Sequence, residues 1–119
     1  MANACSNPDC GTQLMAIRDA LDVLGGKWKI PIICVLAFYK KQGFKELQRE
    51  VSGITSKMLS KELKDLETNL LIKRTVMDTR PITVKYEITP YGISTTALIT
   101  ELYHWGTAHR KKVMTPEAV

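Results

Sequence analysis

Two amphipathic runs joined by a short break constrain this chain more than any other feature. Phe44-Lys-Glu-Leu-Gln-Arg-Glu-Val51 places Phe44, Leu47 and Val51 on one side of a short helix. Ser52-Gly53 interrupts it. From about Thr55 to Asn69, the leucines Leu59, Leu63, Leu66 and Leu70 recur at intervals of four, three and four, the period of a helix with one apolar stripe. A short helix and a longer one around a turn containing glycine make a helix-turn-helix.

The flanking sequence fills in the rest of one domain. Downstream, Ile72–Val76 and Thr83–Ile88 read as strands, the second alternating Val84, Tyr86 and Ile88 with polar residues. Asp78-Thr-Arg-Pro81 between them is turn chemistry, so the pair forms a hairpin. Thr89-Pro90 is a cap followed by proline at the first helical position, opening a final helix that runs to about Arg110. Upstream, Leu14, Ile17, Leu21 and Leu24 mark a first helix, with Thr12 as its N-cap and Gly25-Gly26 as its end. Lys27 to Tyr39 is apolar on most sides and reads as a central core helix with Pro31 in its first turn, and Lys40–Gly43 breaks the pattern. The expected class is α+β and mostly helical: a winged helix-turn-helix with a two-stranded β-hairpin wing and flanking N- and C-terminal dimerisation helices. Its expected divisions are a flexible lead-in over 1–11, the domain over 12–110 and a tail over 111–119.

Charge is concentrated where the helix-turn-helix lies. The 119 residues carry 17 Lys+Arg against 12 Asp+Glu, a net +5. Residues 40–74 alone hold nine basic and five acidic side chains. At about 100° per residue, Lys57, Ser60, Lys61 and Lys64 centre opposite the leucine stripe, with Ser56 beside them. Glu62, Asp65 and Glu67 fall to the flanks or toward the far end. Taken alone, such a face is either solvated or a surface for a polyanion. The preceding turn and the following basic hairpin favour double-stranded DNA, with this helix in the major groove. The hairpin carries Lys73, Arg74, Arg80 and Lys85, and Arg80 at the tip suits a backbone or minor-groove contact.

Other classes find little support. His104 and His109 are the only histidines, and nothing forms a nucleophile elbow, phosphate loop or paired-carboxylate site, so no enzyme and no cofactor is expected. A zinc site would have to join Cys5 and Cys10 to distant histidines, and no metal is expected. Trp28 and Met58 read as packing residues. The longest apolar run, Ile30 to Tyr39, is far short of the ~20 residues a membrane span needs. The first residues show no basic segment followed by an apolar one, and the expected location is cytoplasmic. Cys34 lies in the apolar run, where Ile30, Ile33 and Leu36 are expected to shield it. The last helix carries apolar residues on several sides: Leu98, Leu102 and Trp105, then Ile93 and Ala97, then Ile99 and Tyr103. A core this small cannot cover them all, which predicts a homodimer sharing Leu14, Ile17 and Leu21 of the first helix and a pseudo-palindromic operator.

These residues also carry a resemblance. Leu21-Asp-Val-Leu-Gly-Gly-Lys-Trp-Lys29, Phe44-Lys-Glu-Leu47, Gly53-Ile-Thr-Ser-Lys-Met-Leu-Ser60, Leu63-Lys-Asp-Leu-Glu67 and Tyr86-Glu-Ile-Thr-Pro-Tyr-Gly92 resemble, in order and spacing, the HxlR-type family of bacterial winged-helix transcriptional regulators, relatives of the MarR-type proteins. The resemblance spans roughly residues 14–106. It implies homodimers formed through the first and last helices, and operator binding through paired recognition helices and wings. It assigns the recognition role to Thr55, Ser56, Lys57, Met58, Ser60 and Lys61, and the wing role to the Asp78–Lys85 turn. Thr83 stands where the family often has a basic residue, which places more weight on Arg80. Many members have a cysteine near the start of the first helix, and some sense electrophiles or oxidants through it. Cys10 is the nearest equivalent, fifteen residues before Gly25 and farther away than usual. It is either a sensing thiol, with Cys5 as resolving partner, or an incidental cysteine. An oxidant or a small molecule is accordingly the candidate effector. The rival reading is a winged-helix protein-interaction module whose basic face serves solubility alone.

Overall fold

The structure is a computed structural model that describes residues 10–115. Cys5 and the rest of the expected lead-in up to residue 9 lie outside the described residues, as does the tail from 116. The chain runs α1 (Cys10–Leu24), α2 (Lys29–Tyr39), β1 (Lys41–Gly43), α3 (Phe44–Glu50), α4 (Ser56–Thr68), β2 (Ile72–Met77), β3 (Thr83–Ile88), α5 (Pro90–Ile93) and α6 (Thr95–Met114).

One core forms where α2, α3, α4 and the sheet meet. Ile32, Ile33 and Leu36 of α2, Leu47 of α3, Leu59, Leu63 and Leu66 of α4, Leu71 just before β2 and Ile72 at its start are all buried. Trp28, Phe44, Met58, Tyr86 and Ile88 pack around them. Burying a side chain of this size contributes roughly 1.5–3 kcal/mol each, and this cluster positions α4.

Several boundaries differ from expectation, each for a local reason. α1 already includes Cys10 and Gly11, so Thr12 lies in its first turn and does not cap it. α6 continues to Met114 because Arg110, Lys111 and Lys112 favour helix and complement the negative end of its dipole. The last helix is also divided. Thr89 caps α5 by accepting from the Gly92 N–H, as expected. The hydroxyls of Ser94, Thr95 and Thr96 then donate back to the carbonyls of Tyr91, Gly92 and Ile93, and the helix breaks at Ser94 before resuming. Ile93 therefore belongs to α5 and not to the long helix.

The sheet has three strands in the order β1-β3-β2, where two were expected. β1 pairs antiparallel with β3, Lys41 opposite Glu87 and Gly43 opposite Lys85. Lys41-Gln42-Gly43 carries no alternating signal, and only the β3 edge makes it a strand. β2 and β3 form the expected hairpin, from Ile72 opposite Ile88 to Met77 opposite Thr83.

Leu70 departs from the leucine stripe. It adopts φ 68° and is exposed, while Leu71 takes its place in the core. The Leu71 N–H donates to the Leu66 carbonyl and the Leu70 N–H to that of Glu67, both at 3.0 Å. That is a Schellman termination with leucine where glycine is usual.

The chain is extended. Its radius of gyration is 17.7 Å, against roughly 13–14 Å for a compact chain of this length. In α1 only Leu24 is buried, and no residue of α6 is.

Candidate nucleic-acid interface

The sequence forms the start of α4 through a cap and a bridge. Gly53, at φ 93°, turns the chain between α3 and α4 in a conformation that side chains rarely adopt. Thr55 then caps α4, its hydroxyl accepting from the Met58 N–H at 3.1 Å. Gln48 of α3 ties the two helices together. Its amide donates to the Ile54 carbonyl and accepts from the Ser56 hydroxyl, each at 3.3 Å. Sequence reasoning missed Gln48, because a glutamine in a polar stretch carries no signal of its own.

With Leu59, Leu63 and Leu66 held in the core, Thr55, Ser56, Lys57, Ser60, Lys61 and Lys64 all face outward on one exposed surface. Met58 does not share it: its side chain is half-buried against the core. Lys57 and Lys64 make no ion pair among the described residues.

Of the acidic residues of α4, Glu62 turns toward the core and Asp65 engages the lysine face. Glu62 is buried, and its carboxylate accepts from Lys29 of α2 at 2.6 Å. Lys29 also lies 3.5 Å from Asp65, and Asp65 accepts from Lys61 at 3.3 Å. The face is thus not free of acid: one of its lysines is engaged from within the helix. The Lys61 hydrogen bond holds the Asp65 carboxyl below its ordinary range. Burial pulls the Lys29 ammonium down, but Glu62 and Asp65 together outweigh it and hold it above its ordinary value. Helical periodicity places Glu62 at the edge of the leucine stripe. Only the approach of α2 makes it a buried partner.

At the wing, Arg80 lies exposed in the turn, joined to Pro81 by a cis peptide. The Thr79 hydroxyl donates to the Pro81 carbonyl at 2.8 Å and shares a 2.7 Å hydrogen bond with the Thr83 hydroxyl. Thr83 thus orders the tip. Lys85, expected to face DNA with Arg80, stands opposite Gly43 on β1, and its ammonium lies 3.4 Å from Glu46 of α3. Glu46 accepts the Gly43 N–H at 2.6 Å, and that bond first, then Lys85, holds its carboxyl below the ordinary range.

The proposed dimer residues are exposed in the single chain: Leu14, Ile17 and Leu21 on α1, and Leu98, Leu102 and Trp105 on α6. Ile17, Leu21, Leu98 and Leu102 line one apolar groove of about 300 Å³ with Leu24 and Ile30, whereas Leu14 and Trp105 lie outside it. The Trp105 ring stacks on His109 at 4.9 Å.

Cys10 opens α1 and is half-buried. Cys34 corrects the expectation of a shielded thiol. Ile33 and Leu36 turn into the core, while Cys34 faces the other way, exposed in a shallow groove with Phe38, Ile99 and Thr100. Partial burial there raises its thiol pKa. Among the described residues no group of three His, Cys, Asp or Glu side chains could hold a metal, and no helix is long and apolar enough to cross a membrane.

An exposed capped helix over a core, followed by an antiparallel hairpin, defines a winged helix-turn-helix protein. The model of the HxlR-like helix-turn-helix family matches residues 23–114, and the chain belongs to that family. The protein YtcD of Bacillus subtilis (strain 168), named as an uncharacterised HTH-type transcriptional regulator, is 38% identical over 99 residues, covering 83% of this chain and 78% of that protein. A crystal structure of YtcD matches with a TM-score of 0.76 at 37% identity, over 80% of this chain and 96% of that one. The HTH-type transcriptional regulator YodB of the same organism is 34% identical over 94 residues, 79% of this chain and 83% of that protein. The structure of the redox regulator HypR in its oxidised form matches with a TM-score of 0.72 at 30% identity, over 78% of this chain and 95% of that one.

Proposed function

We propose that this protein is a DNA-binding transcriptional regulator acting as a homodimer, not an enzyme, and that it works in the cytoplasm beside the DNA it binds. The observation that carries the reading is the surface of α4. Thr55, Ser56, Lys57, Ser60, Lys61 and Lys64 are exposed together while the leucines on the opposite side are buried. A helix so mounted enters a major groove with its first turns at the base edges. Lys57 and Lys64 meet phosphate, Thr55, Ser56 and Ser60 reach base edges or phosphate, and Arg80 brings the wing to the backbone or minor groove. Lys85 holds the wing base and is not counted as a contact. Regulators named among the relatives and neighbours support the assignment.

Two-fold pairing through α1 and α6 would cover the apolar groove and set two recognition helices on one operator. Sedimentation velocity at micromolar concentration tests this: Leu21→Asp combined with Leu102→Asp converts a dimer to monomers, and a parent that sediments as a monomer while binding operator overturns it. An oxidant is the effector class to test first, because HypR is named a redox regulator. The measurement is operator affinity before and after diamide in Cys10→Ser and Cys34→Ser variants.

Selection of bound genomic fragments, followed by gel shifts at several salt concentrations, tests the whole reading. Enriched fragments sharing a two-fold repeat, with salt-sensitive binding, are expected. No enrichment would leave the protein-interaction module as the better account.

A further inference from the structure

The lysines of the proposed DNA face are not equivalent. Lys57 and Lys64 make no ion pair among the described residues, whereas Lys61 donates to Asp65 one turn along the same helix, at 3.3 Å. Asp65 does not sit there by chance rotation of a surface side chain. Lys29 approaches its carboxylate from the core side at 3.5 Å, and Lys29 is itself anchored at 2.6 Å on the buried Glu62. The chain Glu62–Lys29–Asp65–Lys61 therefore runs from the protein interior to the surface, with charges alternating in sign. Its last link, whose partners are both partly exposed, is the one a solvent-side anion can break.

We propose that Asp65 is a specificity-determining residue: it competes with DNA phosphate for Lys61 and so suppresses binding to DNA that does not seat α4 fully. This rests on the reading of α4 as the DNA-facing helix. In a loose complex, phosphates remain hydrated and more distant than 3.3 Å, and Lys61 stays on Asp65. In a seated complex, phosphate oxygens come to hydrogen-bond distance and the ammonium transfers to them. Asp65 also places a negative charge beside the groove, which every loosely bound phosphate meets. Lys61 thus contributes to affinity only when the helix is docked.

The test uses the full chain and a mixed-sequence duplex of roughly 30 base pairs, long enough for two half-sites. Affinity is measured against salt for the parent, Asp65→Asn, Lys61→Ala and the double variant. Asp65→Asn should bind this duplex about two- to five-fold more tightly, and its log-affinity against log-salt slope should steepen toward one further phosphate, about 0.9. In the Lys61→Ala background the same substitution should raise affinity less than about two-fold and leave the slope unchanged, because neighbours in one network do not add. Equal effects of Asp65→Asn in both backgrounds would reduce Asp65 to simple repulsion and overturn the proposal. So would an unchanged or weaker affinity of Asp65→Asn, the result expected if Asp65 only steadied the helix. In either case the parent still binds DNA, and the reading of α4 stands. Salt-sensitive binding absent from the parent itself would overturn both.

Discussion

Lys29 of α2 and Glu62 of α4 meet at 2.6 Å between Nζ and Oε1, with side chains only 12% and 9% exposed. This pair joins the central core helix to the proposed recognition helix. Two charges so far withdrawn from water are costly individually and compensate each other when paired.

Removing one partner should therefore cost more than removing both. Lys29→Met leaves Glu62 buried without its cation and should destabilise the fold by about 3 kcal/mol. Lys29→Met with Glu62→Leu should recover most of that loss. Urea midpoints at neutral pH measure both, and a single variant within about 0.5 kcal/mol of the parent would show that water reaches the pair.

Stability should decline at both ends of the pH range. Asp65 and Glu46 are held below their ordinary values, so their contribution is present above the usual carboxylate range and is lost as pH falls through the lowered values. Lys29 is held above its ordinary value, so its contribution is present below the usual lysine range and is lost as pH rises through the raised value. Glu46→Gln should flatten the acid limb of a urea-midpoint profile. An acid limb identical to the parent's would remove Glu46 from the explanation.

Two backbone positions should respond with opposite signs. Leu70 is exposed at φ 68°, and Leu70→Gly should stabilise by about 0.5–1 kcal/mol by relieving the left-handed conformation. Gly92 is buried, and a Cβ there would stand 2.1 Å from the Leu71 carbonyl oxygen and 2.7 Å from Ile88 Cγ1. Gly92→Ala should cost about 2 kcal/mol or more, because backbone must move. Thermal midpoints of the two variants falling on the same side of the parent would contradict this.

The basic residues of the wing should separate by location. Arg80→Ala, at the exposed tip, should weaken DNA binding and lower the salt slope by about 0.9 if it meets one phosphate. Lys85→Ala should leave that slope unchanged and affect only the junction with Glu46 and β1. A slope lowered by Lys85→Ala alone would return that residue to the interface.

What the sequence determined by itself was periodic or locally capped. The leucines Leu59, Leu63 and Leu66 of α4, the strand Thr83–Ile88 and the Thr89-Pro90 start are all short-range signals, and each appears in the structure at its expected place. The helix-turn-helix, the hairpin and the outward lysines were legible for that reason. Tertiary structure decided what depends on a neighbour distant in sequence. Lys41–Gly43 is a strand only because β3 offers an edge. Cys34 is exposed because the packing face of α2 runs through Ile32, Ile33 and Leu36. Leu71 enters the core because the helix end turns left-handed at Leu70. Charge pairing was hidden most completely. Lys29 and Glu62 lie 33 positions apart, and Lys85 and Glu46 39 apart. A charged residue's intrinsic pattern says only that it prefers water. Which partner replaces that water is fixed by the packing of helices that local sequence does not encode.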